Sequence, residues 1–211
     1  RVSRAVRSLE PSMTTAMTDA ATELRRQGIP VLSLSVGEPD FTPVPRVMAA
    51  AHAALTEERI KYTELGGTHA LRSAIAKYLK TLGTEYTPEQ VIVSSGAKQG
   101  LLQVLFALCE AGDEVIIPAP YWPSYPQQVR LCGATPVIVP TAASDGYCLQ
   151  PADLERALTP STRALVLCNP SNPTGAVHPP ALLEGLAAVL RRHPRVLIVA
   201  DEIYEARDAP E

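Results

Sequence analysis

Val196-Leu197-Ile198-Val199-Ala200-Asp201-Glu202-Ile203-Tyr204 is the stretch that decides the fold. Five apolar residues rich in Val and Ile make a short buried strand, which breaks at once into an acidic pair. In an α/β sheet, groups just past the carboxyl ends of the strands face the ligand crevice. Asp201 would then be partly buried at the mouth of a site. A buried carboxylate needs a cationic or strongly hydrogen-bonded partner, and the next basic residue along the chain is Arg207. A bound molecule with a protonated nitrogen could supply the partner. The plainer alternative is an aspartate that caps a following helix.

Upstream of this strand, apolar runs alternate with helical segments. Strands are predicted at Val91–Val93, Glu114–Ile117, Val137–Val139 and Arg163–Leu167. Helices are predicted at Leu101–Leu108, up to Leu131, near Leu154–Leu158 and at Ala181–Leu190. Strands spaced by helices indicate βαβ units, hence an α/β fold with a mainly parallel sheet flanked by helices. The earlier chain reads as a helix from Pro11-Ser12 to Gly28, a short strand Val31–Val36, and a stiff turn Gly37-Glu38-Pro39-Asp40-Phe41. A helix Pro45–Leu55 follows, then a loop Lys61–Gly67, then a helix capped by Thr68.

Composition narrows the function classes. Hydrophobic content of 46% and charge of 19% fit a globular protein, and 211 residues suffice for a sizeable core. A net charge of −3 gives no electrostatic case for nucleic acid or an anionic membrane. No apolar run reaches the roughly 18 residues that a spanning helix needs. Cys109, Cys132, Cys148 and Cys168 lack CxxC spacing and read as buried free thiols. The histidines form no metal-ligand spacing, and no GxSxG elbow appears.

Three strand-to-helix connections carry chemistry. Ser94-Ser95-Gly96-Ala97-Lys98-Gln99 leaves a helix start uncovered, which favours an anion such as phosphate, although an ordinary capped turn reads the same way. Trp122 follows a strand in a proline-flanked aromatic cluster, placed to stack on a planar ring or simply to pack a loop. Asn172 lies between Pro170 and Pro173, which fix the backbone around its amide, and it could equally bond its own loop.

Taken in order, these segments resemble the class I aminotransferases. The run is Gly37-Glu38-Pro39-Asp40-Phe41, Lys61-Tyr62, Ser95-Gly96-Ala97-Lys98-Gln99, Tyr121-Trp122, Asn169-Pro170-Ser171-Asn172-Pro173-Thr174-Gly175 and Asp201-Glu202-Ile203-Tyr204. The likeness runs from about Val2 to Glu205 and points to the subgroup of bacterial-type aspartate and plant-like prephenate aminotransferases. It implies a fold type I enzyme dependent on pyridoxal 5′-phosphate. By resemblance, Asp201 pairs with the protonated pyridine nitrogen, and Asn172 and Tyr204 bond the phenolic oxygen. Trp122 stacks on the ring and also borders the substrate, as Asn172 does. Gly96, Ala97 and Lys98 hold the phosphate, Tyr62 reaches the cofactor of the other subunit, and the main chain of Gly37 meets the substrate carboxylate.

The resemblance also sets expectations for the whole protein. Residues 1–44 would form an N-terminal arm and part of a small domain, and 45–211 an incomplete large cofactor-binding domain. The Schiff-base lysine is expected downstream, since Lys61, Lys77, Lys80 and Lys98 occupy other positions. No catalytic residue is therefore assigned within the chain, which reads as truncated and inactive alone. The complete protein would be a homodimer, cytoplasmic or in the plastid stroma, moving an amino group between aspartate or glutamate and oxaloacetate, 2-oxoglutarate or prephenate. A lyase or synthase on the same fold, or a non-catalytic truncated product, are the alternatives.

Overall fold

The structure, a computed structural model, describes residues 1–37, 39, 41–57 and 61–205. Glu38 and Asp40 of the predicted turn, and the tail from 206, lie outside the described residues. The chain divides into two compact units. One spans residues 14–94, and the other joins residues 1–13 to the chain from 95 onward.

The helices and strands follow in order: α1 (Arg4–Arg7), α2 (Met13–Arg26), α3 (Pro45–Thr56), α4 (His69–Thr81), α5 (Ala97–Leu108), β1 (Glu114–Ala119), α6 (Ser124–Leu131), β2 (Thr135–Pro140), α7 (Pro151–Ala157), β3 (Thr162–Cys168), α8 (Pro180–Leu190) and β4 (Leu197–Asp201). The strands form one parallel sheet in the order β2-β1-β3-β4. The chain runs from β1 outward to β2, then returns to the far side of β1 for β3. That reversal puts a switch point between β1 and β3, where the loops leaving the two strands part and open a crevice.

Period-two alternation sorts the sheet residues between two layers. Val115, Ile117, Ala164 and Val166 face α5 and α6, packing with Leu101, Leu105, Tyr125 and Val129. Ile116 and Leu165 face the other way and pack with Leu149 and Leu154, and with Leu186, Val189 and Leu190 of α8. Val115, Ile116 and Ile117 are wholly buried, as expected of a parallel strand covered on both faces.

In the 14–94 unit, Thr68 caps α4 as predicted, its hydroxyl accepting from Leu71 N. The predicted strands Val31–Val36 and Val91–Val93 are not strands. A strand is defined by its ladder, and among the described residues neither segment has one. Val93 instead donates a single backbone bond to Gly66 O at 2.9 Å. This approach is close enough to demand glycine beside it. Gly67 has φ +99°, and a Cβ there would lie 2.6 Å from Val93 Cγ2.

Leu105 carries the packing of α5 on the sheet and is 1% exposed. Leu105→Ala is expected to cost about 3 kcal/mol by lost transfer energy and a residual cavity, read as a lower midpoint in urea unfolding at unchanged slope.

Candidate functional site

The parallel register delivers β3 and β4 to the same level, pairing Cys168 with Asp201. Asp201 ends β4 and is only 8% exposed. One of its oxygens, Oδ2, accepts a 2.7 Å bond from Tyr125 Oη, and Oδ1 accepts a longer one from Ile203 N. The buried partner that the local sequence lacks thus comes from α6, 76 residues away. Directly after Asp201 the chain turns at Ile203 and Tyr204.

Tyr125 escaped the sequence reading. A signal was present, because Tyr125 stands three residues after Trp122, a spacing that puts both on one side of a helical turn. Their rings meet edge-to-face with centroids 5.4 Å apart and an 81° angle between planes. Lys98 Nζ sits 4.8 Å from the centroid of the Trp122 ring, a cation–π distance. Burial, followed by hydrogen bonding to Cys168 and Asp201, pushes the Tyr125 phenol far above its usual range. It is therefore a neutral donor to the carboxylate. Cys168 sits beside it, and its thiol donates to Pro170 O at 3.2 Å. Burial pushes that thiol up and the Asp201 charge adds to this, against hydrogen bonds from Tyr125 and the Asn172 backbone.

Asn172 and Tyr204, 32 residues apart, are brought into contact, Asn172 Nδ2 donating to Tyr204 Oη at 3.2 Å. The Asn172 loop is clasped at its base. Asn169 N donates to Asp201 O at 3.1 Å, and His178 N donates to Asn169 Oδ1 at 2.8 Å. Ser171 accepts from Gly175 N and donates to Ala176 O, both at 2.8 Å. The loop that carries Asn172 is thus tied directly to the strand end that carries Asp201.

Helix α5 begins at Gly96 with φ +84° and no side-chain cap. Gly96, Ala97 and Lys98 are exposed, so the positive end of the helix is open to an anion. Gln128, buried on α6, donates to Lys98 O at 2.8 Å and fixes this helix start relative to Trp122. Gln128 too was missed, because a polar residue inside an amphipathic helix gives no sign of where it points. Gly37 and Tyr62 belong to the 14–94 unit, and Tyr62 is fully exposed there.

The aminotransferase class I and II family model matches residues 29–207. The chain belongs to the class I and II aminotransferases. Among relatives of this aminotransferase chain, the bifunctional aspartate aminotransferase and glutamate/aspartate-prephenate aminotransferase of Petunia hybrida is 53% identical, over 95% of this chain and 42% of its own length. The probable aspartate/prephenate aminotransferase of Thermus aquaticus is 44% identical over 97% and 53%. The aspartate aminotransferase of Rhizobium meliloti superposes with a TM-score of 0.94 at 39% identity, covering 97% of this chain and 52% of that one. The Thermus thermophilus aspartate aminotransferase with maleate gives 0.93 at 43% identity, covering 97% and 54%. The chain spans about half the length of the curated relatives it matches.

The family is dependent on pyridoxal phosphate, and the site fits that group. Among the described residues, Asp201 is partnered by a neutral hydroxyl and an amide, with no cationic side chain in ion-pair contact. A buried carboxylate so placed fits a cationic ring nitrogen as its partner.

The Tyr125 phenol supplies a pH test. Its folded pKa lies above its unfolded value near 10, so its contribution to stability is complete below about pH 10 and is lost as the pH rises beyond it. In an absorbance titration Tyr125 should stay protonated until alkaline unfolding. Tyr125→Phe should remove that part of the alkaline dependence and cost about 1.5–3 kcal/mol at neutral pH, the worth of a hydrogen bond to a charged group.

Proposed function

We propose that the complete protein transfers an amino group between a dicarboxylic amino acid, aspartate or glutamate, and a 2-oxo acid, with oxaloacetate, 2-oxoglutarate or prephenate as acceptors. The observation that carries this reading is the buried Asp201 carboxylate, held by Tyr125 at a strand end beside the Asn172–Tyr204 pair. When bound, pyridoxal phosphate supplies an electron sink for the charge released at the substrate Cα.

The residues of this chain would serve that chemistry by holding and orienting. Asp201 would face the ring nitrogen and hold it protonated. Asn172 and Tyr204 would bond the phenolic oxygen, and Trp122 would cover the ring. The amides of Ala97 and Lys98, at the start opened by Gly96, would take the phosphate. Tyr62 serves the second subunit of a homodimer, and the main chain of Gly37 meets the substrate carboxylate. None of Lys61, Lys77, Lys80 and Lys98 stands at the place of the family's Schiff-base lysine, which would move the Cα proton, so this chain alone would not complete transfer.

Two measurements test the reading. The complete protein, given glutamate with oxaloacetate or prephenate, should yield the matching amino acid, and Asp201→Ala should lower that rate by several orders of magnitude with the fold intact. Elimination products without amino transfer would assign it instead to a lyase. Separately, borohydride treatment of this chain with pyridoxal phosphate should fix the cofactor on no lysine specifically. Stoichiometric labelling of one lysine would show that the chain carries its own attachment point.

A further inference from the structure

His178 is 4% exposed and lies just past the Asn172 loop. Its ring nitrogen Nε2 accepts a 3.1 Å bond from Leu149 N. A backbone N–H can only donate, so Nε2 carries no proton and the neutral ring holds its proton on Nδ1. That Nδ1–H is buried and has no hydrogen-bond partner among the described residues. A buried donor left so is costly, and native structures satisfy such groups with protein or with ordered water.

His178 also lines a cavity bordered by Tyr147, Cys168, Ser171 and Asn172. About 20 Å³ of it is open to the centre of a water-sized molecule. A single water needs roughly 10–15 Å³ by that measure, with two to four polar neighbours. The space therefore has room for a water.

We propose that this cavity is a binding site for one ordered water, which accepts from His178 Nδ1–H and forms part of the support beneath the Asn172 loop. Ser171 and Asn172 border the same space, and both residues carry acceptor oxygens for the protons of the water. The neutral imidazole presents a single uncharged donor. Burial pushes the His178 pKa below its usual value, in keeping with that neutral state. His178 is thus a positioning residue, clasping Asn169 through its backbone and the 147–149 segment through its ring. This inference concerns the folded chain and does not rest on the proposed activity.

The test uses the 211-residue chain labelled with ¹⁵N-histidine. Long-range proton–nitrogen spectra should show His178 protonated at Nδ1 and unprotonated at Nε2, and the Nδ1 proton should show a cross-peak to a long-lived water. A crystal structure should place that water within hydrogen-bond distance of Nδ1. An Nε2–H tautomer, a dry cavity, or a protein acceptor on Nδ1 would each overturn the proposal. His178→Phe should abolish the water signal and speed amide exchange at Gly175 about tenfold by loosening the loop. Unchanged exchange would deny His178 its positioning role. Should the variant fail to fold, the tautomer and water measurements on the unaltered chain decide the matter.

Discussion

A carboxylate is held out of water at the end of β4, and most of the strand-end architecture is arranged around it. Asp201 sits in a buried place, where Tyr125 gives it a short hydrogen bond and cannot itself ionise. That bond ties α6 to β4 across the sheet. Through Tyr125 it also sets Trp122, which meets the phenol edge-on. Through the main chain of Asp201 it anchors Asn169, and so the loop that presents Asn172. One buried donor–acceptor pair thereby links the indole, the carboxylate and the loop amide.

The sheet makes this linkage possible. A parallel register brings the carboxyl ends of β1, β3 and β4 to one side, and the reversal of strand order beside β1 opens the crevice there. Helix α5 points its uncapped start toward exposed surface, with Gln128 fixing that start to α6. The result is a surface with an anion-favouring helix end, an indole face, an amide–phenol pair and a buried negative charge. These are the complements of a phosphate, a planar ring, a phenolic oxygen and a protonated nitrogen.

Much of this was legible in the residues. The strand–helix alternation from Glu114 onward announced the parallel sheet, and β1, β2, β3, α5 and α8 lie where the apolar runs predicted them, within a few residues. Val31–Val36 and Val91–Val93 misled because an apolar run records only a wish to be buried. Whether a ladder forms depends on a neighbouring strand that local sequence cannot supply. The site residues after β1, β3 and β4 were recognisable because each follows a strand end and stands among prolines, glycines or acids.

What the sequence determined by itself was the periodicity of the elements, the identity of the groups at the strand ends, and the order of motifs that marks the aminotransferase family. Only the tertiary structure decided the partners. Tyr125 finds Asp201 over 76 residues, Asn172 finds Tyr204 over 32, and Leu149 finds His178 over 29. The physical reason is that a hydrogen bond is specified by distance and direction within a few tenths of an ångström. Hydrophobic patterning fixes only which face of an element is buried, so the pairing of polar groups waits until the elements have packed.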